Sequence, residues 1–270
     1  IIINVVTTTG VGNAFSLMIV EWAQGSLFIT LILVALASLV LGMGLPVTAS
    51  YIVLATLSAP LIFDLISQSQ LLEALQAGDL PTNVAATIGL FGGDPVVALQ
   101  EMPLEMKQLI RQEMIEPELL TGMLLSAHLI IFWLSQDSNV TPPVCLASFA
   151  AAGIAGTRPI ATGLTSWKVA KGLYLVPVLF AYSPLISGTW PERLEVFLWS
   201  CMGLYAMAGL LQWHLEAKIN AIIAAALVVS AALLMWTPFP FYFHFAGAVI
   251  LVAIVLYQNR NASIVSPTHT

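Results

Sequence analysis

Charged residues are scarce in this 270-residue chain, where Asp, Glu, Lys and Arg together make up 8%, about a third of what a soluble domain carries. That scarcity excludes a soluble enzyme domain, because too little polar surface is left to face water. Cysteine is nearly absent too. Cys145 and Cys201 form no CxxC and join no His/Cys cluster, so buried small-residue roles are expected rather than a disulfide or a zinc site. His128, His214, His244 and His269 are scattered, make no HExxH, and read as structural or interfacial. No GxxxxGK[ST] run occurs, so ATP bound to this chain drives nothing. A net charge of -6 opposes nucleic acid. The opening IIINVV has no initiator Met and no basic stretch before a cleavage site, so no signal peptide is expected and the chain is expected to be part of a longer polytopic protein.

What the chain has is hydrophobic length. Hydrophobic residues make up 59% and the mean hydropathy is +0.94, which implies an all-α integral membrane protein. A helix crossing about 30 Å of hydrocarbon needs about 20 apolar residues. Stretches at 121–157, 172–190, 194–214 and 218–236 approach or exceed that, and 241–257 adds a shorter one with Phe239, Phe241, Tyr242 and Phe243 at its start. Trp22, Trp133, Trp167, Trp190, Trp199, Trp213 and Trp236 read mostly as interface or packing residues.

Two apolar runs are broken. Residues 26–63 are split by GMGLP into arms of about 16 residues, roughly 24 Å each. The break holds no charge, only Thr48 and Ser50 after it, so the run reads as a re-entrant hairpin with its tip inside the bilayer, two full spans being the alternative. Irregular backbone at that depth must pack in protein or line a wet cavity. The second break is SQDSNVTPP, in the middle of 121–157. Pro142 and Pro143 remove two N–H donors and disfavour helix before them, freeing upstream carbonyls. With the oxygens of Ser138, Asn139 and Thr141 these make a hard-oxygen cluster suited to a small cation such as Na⁺. The plainer alternative is a proline kink satisfied by neighbouring Ser and Thr. Asp137 weighs against it, since an acid at membrane depth usually faces a water path, a cation or a proton relay. Secondary transporters build midplane sites from paired discontinuous helices of this kind. The helix after the break, CLASFAAAGIAG, is rich in small residues that permit close packing. Thr7-Thr8-Thr9-Gly10 with Gly12-Asn13 is either a third polar break or a helix-ending turn.

Charge sets the orientation. Segment 64–118 carries nine acids against Lys107 and Arg111, while 158–171 has Arg158, Lys168 and Lys171 and no acid. By the positive-inside rule the second is cytoplasmic and the first an extracytoplasmic insertion. Lys218 and Arg260 then fall inside, and Glu192, Arg193 and Glu195 outside. Arg158 and Lys168 read as topology determinants, or Arg158 as a contact for anionic substrate at the inner exit. Within the insertion, residues 98–115 place Leu99, Met102, Met106, Leu109, Ile110 and Met114 at near-helical spacing, as for a helix lying on the membrane or under a partner protein.

GMGLPVTASYIVLATLSAPLI, together with SNVTPPVCLASFAAAGIAGTRPIATGLTSWKVAKGLYLVPVLFAYSPLI, resembles the C-terminal half of the large membrane subunit of tripartite ATP-independent periplasmic (TRAP) transporters, in particular the fused permeases of TAXI-type binding proteins. The likeness covers about 1–63 and 121–190. It implies half of an inverted-repeat, elevator-type transporter in the bacterial inner membrane, coupled to Na⁺ or H⁺ and needing no other cofactor. It would import an organic anion or related solute delivered by a periplasmic TAXI-type solute-binding protein. The N-terminal half of the permease and a small membrane subunit region are the other implied partners. Gly42, Met43, Gly44, Pro46 and Thr48 would form the hairpin tip, and Asn139, Thr141, Pro142 and Pro143 the cation-binding turn. Gly42, Gly44, Thr48, Ser138, Asn139, Thr141 and Pro142 are thus the expected cation-site residues, and Met43, Pro46, Asp137 and Pro143 the expected gate and substrate residues. The expected organisation is helix and hairpin at 1–63, acidic insertion at 64–120, broken helix and following span at 121–190, and a C-terminal membrane extension at 191–270. The insertion departs from the family in its length. The competing class is a non-transporting membrane scaffold or an intramembrane enzyme, in which both breaks are only kinks.

Overall fold

The computed structural model describes residues 18–19, 21–42, 45–77, 80–143, 145–236 and 240–265. Thr7 to Asn13, Met43, Gly44, Asp79, Phe239 and His269 lie outside the described residues. The structure is all-α; among the described residues the only β-type pairing is an isolated bridge between His214 and Lys218.

The first arm of the hairpin is α1 (Leu27–Gly42) and the second is α2 (Val47–Gln76), which begins at Pro46. α1 is apolar on every side, yet its burial is one-sided. Leu31, Val34, Ser38 and Gly42 are buried, whereas Ile29, Ile32, Leu36 and Val40 are exposed, as in a helix that faces lipid on one side and protein on the other. α2 buries a continuous stripe from Ser50 and Leu54 through Ile62 to Leu71 and Leu75. It runs well past Phe63, because SQSQLLEALQ is good helix-forming sequence and nothing in it stops the helix. The 30 residues of α2 span about 45 Å, so the second arm leaves the hairpin and becomes the root of the insertion.

Three short helices complete the insertion: α3 (Thr82–Leu90), α4 (Pro95–Glu101) and α5 (Leu104–Met114). The helix expected over 98–115 is two helices. Met102 is extended and Pro103 starts α5, since proline disfavours helix in the residue before it. α3 and α4 bend by 70° at Gly92 and Gly93, both at positive φ, and Asp94 caps α4 by accepting from Val96 N–H at 2.8 Å. Val84, Ile88, Ala98, Leu99 and Ile110 pack on Leu71 and Leu75 of α2. Arg111 of α5, almost fully buried, pairs with Asp64 and lies over the Phe63 ring, 5.1 Å from its centroid.

α6 (Pro117–Ser135) returns through the core, burying Met123, Ser126, Ala127, Ile130, Ile131 and Leu134 at helical spacing against α1 and α2. His128 has the structural role expected of it: its Nδ1 is 3.1 Å from the Tyr51 hydroxyl of α2. After a broken turn come α7 (Leu146–Ala155) and α8 (Pro159–Val169), a 3-10 stretch over Ala170–Tyr174 and α9 (Val176–Tyr182). The apolar run 172–190 is therefore no single long helix. Pro177 sits in the first turn of α9, and the chain turns over 183–188 around Pro184 and Gly188.

The C-terminal extension is a bundle of α10 (Trp190–Gln212), α11 (Ala221–Met235) and α12 (Phe241–Val265). Thr189 and Glu192 close a capping box at the start of α10, and Asn220 caps α11. Small residues let the helices approach: a Cβ at Gly203 would collide with Met235, and one at Gly247 would sit 3.1 Å from the Ser230 carbonyl. Cys145 is buried as expected, but Cys201 is exposed on α10. Ends that the charge argument assigns to one side of the membrane lie together. Gln258 Oε1 accepts from Glu216 N–H at 3.2 Å, joining the two ends that carry Arg260 and Lys218. A cleft of about 1090 Å³ is lined by Ser69, Glu116, Glu118, Glu192 and Arg193, joining the two links assigned to the outside.

Candidate functional site

α6 ends at Ser135 and the chain tightens into a 3-10 turn, Gln136–Asn139. In a continuing helix the carbonyls of Ser138 and Asn139 would accept from residues 142 and 143, which are prolines without N–H groups. The chain instead turns on the Asp137 carbonyl, which accepts from Val140 N–H at 3.1 Å and Thr141 N–H at 2.9 Å. Helix resumes only at Leu146. The break expected at SNVTPP is therefore a real interruption of the helix, and the stretch before it, Pro117–Asn139, is by itself long and apolar enough to cross a membrane.

Asp137, Ser138 and Thr141 are all buried there. Thr141 donates its hydroxyl to Asp137 Oδ1 at 2.6 Å, and Ser138 donates to the Ser135 carbonyl at 3.0 Å. Both hydroxyl protons are thus directed into the protein, leaving lone pairs free. Asp137 Oδ2 is buried with no hydrogen-bond partner. A carboxylate oxygen in that condition is costly unless a proton, a cation or a neighbouring donor such as the Tyr174 hydroxyl completes it. Tyr174, whose hydroxyl accepts from Trp167 Nε1 at 3.3 Å, lies close enough to interact with the Asp137 carboxyl.

The hairpin meets this turn directly. A Cβ on Gly42 would lie 3.2 Å from both Cα and Cβ of Ser138, so glycine is what lets the end of α1 rest on the 3-10 turn. Ser38, one turn earlier on the same buried face, and Ser50 in the first turn of α2 each have a buried hydroxyl oxygen without a partner. From the other side α8 closes on the turn: a Cβ at Gly163 would lie 2.7 Å from Cys145 Sγ and 3.2 Å from Pro142 Cγ.

The structure thus brings together Gly42, Asp137, Ser138, Thr141 and Pro142 from the expected set. Asn139 is half-buried and donates to Gln136 Oε1 at 3.3 Å. Pro46, Thr48 and Pro143 are exposed. Sequence reasoning passed over Ser38, Gly163 and Tyr174, and noted Ser50 only as a polar residue after the break. Ser38 carried a usable signal, four residues before Gly42 on an apolar helix; Gly163 and Tyr174 come from distant parts of the chain and carried none. Among the described residues no group of three His, Cys, Asp or Glu side chains could hold a metal.

Residues 1–186 match the family model for the tripartite ATP-independent periplasmic transporter, DctM component. The chain belongs to this family. No curated protein and no solved structure matches it. A DctM component is a membrane permease subunit of the inner membrane, not an enzyme, and works with a periplasmic solute-binding protein and a small membrane subunit. The matched region contains the hairpin, the insertion and the broken helix, and it ends before α10, so the C-terminal bundle lies beyond it.

Proposed function

We propose that this DctM component couples import to a cation, Na⁺ or H⁺, held where the hairpin end meets the turn of the broken helix. The imported solute is an organic anion or related compound handed over by a binding protein of the TAXI type. The observation that carries the reading is the buried Asp137 carboxyl, with Oδ1 engaged by Thr141 and Oδ2 unpartnered, under the Gly42–Ser138 contact. A bound Na⁺ would draw on Asp137 Oδ2, the Ser138 oxygen and the Ser138 and Asn139 carbonyls; a proton would sit on Asp137 itself. Either charge removes the cost of the bare carboxylate and so favours the hairpin seated on the turn. Coupling then follows from differential stability: the seated arrangement, which closes the gate, is favoured only when the ion is present.

The test is solute uptake by proteoliposomes holding the full-length permease and its binding protein, under an imposed Na⁺ gradient, a proton gradient, and neither. Uptake should require one gradient and the binding protein. In Thr141→Val and Asn139→Leu variants that still reach the membrane, gradient-dependent uptake should collapse; intact uptake in both would discard the cation turn.

A further inference from the structure

α8 brings a tyrosine to the carboxyl that the coupling ion is proposed to meet. Gly163 sets this helix against the break, since a Cβ there would lie 2.7 Å from Cys145 Sγ and 3.2 Å from Pro142 Cγ. Trp167 is four residues further on and so lies along the same face of the helix. Its Nε1 donates to the Tyr174 hydroxyl at 3.3 Å. Tyr174 ends the 3-10 stretch that follows α8, packs on the core of α1, α2 and α6, and interacts with the Asp137 carboxyl. Both ends of this length of chain, Gly163 on Pro142 and Tyr174 by Asp137, therefore close on the same turn.

The protons decide what Tyr174 does there. An indole N–H only donates, so Trp167 occupies a lone pair of the Tyr174 oxygen and leaves the hydroxyl proton for another acceptor. Asp137 Oδ1 is taken by Thr141, whereas Oδ2 is buried without a hydrogen-bond partner. A donor with a proton to give stands beside an acceptor that lacks one. We propose that Tyr174 is the stand-in for Na⁺: it donates to Asp137 Oδ2 in the ion-free step of the cycle, and the arriving ion displaces it. This role rests on the cation reading above and adds the group that competes with the ion. An importer must return without its ion, and a bare buried carboxylate would oppose that return. A hydroxyl that swings onto Oδ2 offsets the cost in the one step where no ion can.

The experiment follows the unfolding temperature of the purified full-length permease as Na⁺ is added, with choline as the control cation. The response scored is the part that Asp137→Asn abolishes. Tyr174→Phe removes the competing proton and little else, so the half-saturating Na⁺ concentration should fall about ten-fold, the worth of one hydrogen bond to a charged group. Trp167→Phe takes away the donor that orients and polarises the Tyr174 hydroxyl, and should move the value the same way by less. The sign is decisive. A hydroxyl that served as a ligand to Na⁺, or only as packing for the turn, would raise the half-saturating concentration or leave it unchanged. Either result overturns the stand-in role while the cation turn stands. A wild type without the Na⁺ response overturns it too, and the cation reading is then decided separately by uptake under a proton gradient. Should Tyr174→Phe unfold on purification, Trp167→Phe decides by the same sign.

Discussion

The matched region and the appended bundle differ in the kind of buried polar atom each leaves unpaired. In the bundle most buried polar groups are paired. Ser230 donates to the Gly247 carbonyl at 2.8 Å, His244 Nδ1 sits 2.7 Å from the Leu233 carbonyl, and Gln258 bonds the 216–217 backbone. Ser200 Oγ and Arg193 Nε are the exceptions. In the matched region the buried hydroxyls of Thr30, Ser67, Ser126 and Ser135 donate to carbonyls one turn earlier, whereas Ser38 Oγ, Ser50 Oγ, Ser58 Oγ and Asp137 Oδ2 are buried and unpaired, and the helices that lead to Ser38 and Asp137 stop at breaks. In lipid an unpaired polar group carries a penalty that evolution removes wherever only stability is at stake. Among these unpaired atoms the one carboxylate oxygen is that of Asp137, at the turn where the proposed cation would arrive.

The largest expected effect is at Asp137. Asp137→Asn keeps the shape and the acceptor for Thr141 but removes the charge that a cation would meet. Gradient-driven uptake should fall at least about 100-fold while membrane levels stay near wild type, because removing an unpaired buried charge does not harm folding. A variant that transports normally would place the matched region in the same class as the bundle and end the contrast. Next is Gly42→Val, which forces a branched side chain into the 3.2 Å approach to Ser138. Uptake should drop about 10-fold as the hairpin is held off the turn, and Gly42→Ala should lie between, since the neighbour need give only a few tenths of an ångström there.

How far the contrast was legible in the sequence depends on the range of the cause. The breaks were local matters: Gly42 and Pro46 in one run and Pro142-Pro143 in the other are visible without knowing what packs on them. The Asp137–Thr141 bond has i,i+4 spacing and was likewise within reach. The seating of Gly42 on Ser138 was not, because it joins residues almost a hundred positions apart and depends on how α1 lies against α6. Two errors had local causes that were underweighted. Pro103 divides 98–115, and Pro177 with Pro184 divides 172–190; in both, hydrophobic spacing was allowed to outvote a helix breaker. The length of α2 was missed for the opposite reason, since Asp64 marks the end of the apolar run but not the end of the helix.

In the bundle the expected effects are on stability. Gly203→Leu puts a large side chain where even a Cβ would strike Met235. Overpacking of this kind costs about 1–3 kcal/mol and should lower the unfolding temperature of the purified permease. Uptake at low temperature should change less than two-fold, because α10 carries none of the residues at the turn. A loss of uptake equal to that of Gly42→Val would mean that the bundle takes part in the gate.

The smallest effects give the finest test, because they compare one chemical group in the two settings. Ser230→Ala deletes a donated hydrogen bond between α11 and α12, and bonds of this kind between membrane helices are worth about 0.6 kcal/mol on average. Ser58→Ala, in the middle of α2, deletes a hydroxyl oxygen that is buried and has no partner. Removing an unsatisfied polar atom recovers its desolvation penalty, so this substitution should leave stability unchanged or raise it slightly. The same single-oxygen deletion should therefore lower stability in the bundle and not lower it in α2. If Ser58→Ala destabilises by as much as Ser230→Ala, the Ser58 hydroxyl has a partner in the membrane, a water or an ion, and the wet region reaches a full two turns along α2 beyond Ser50.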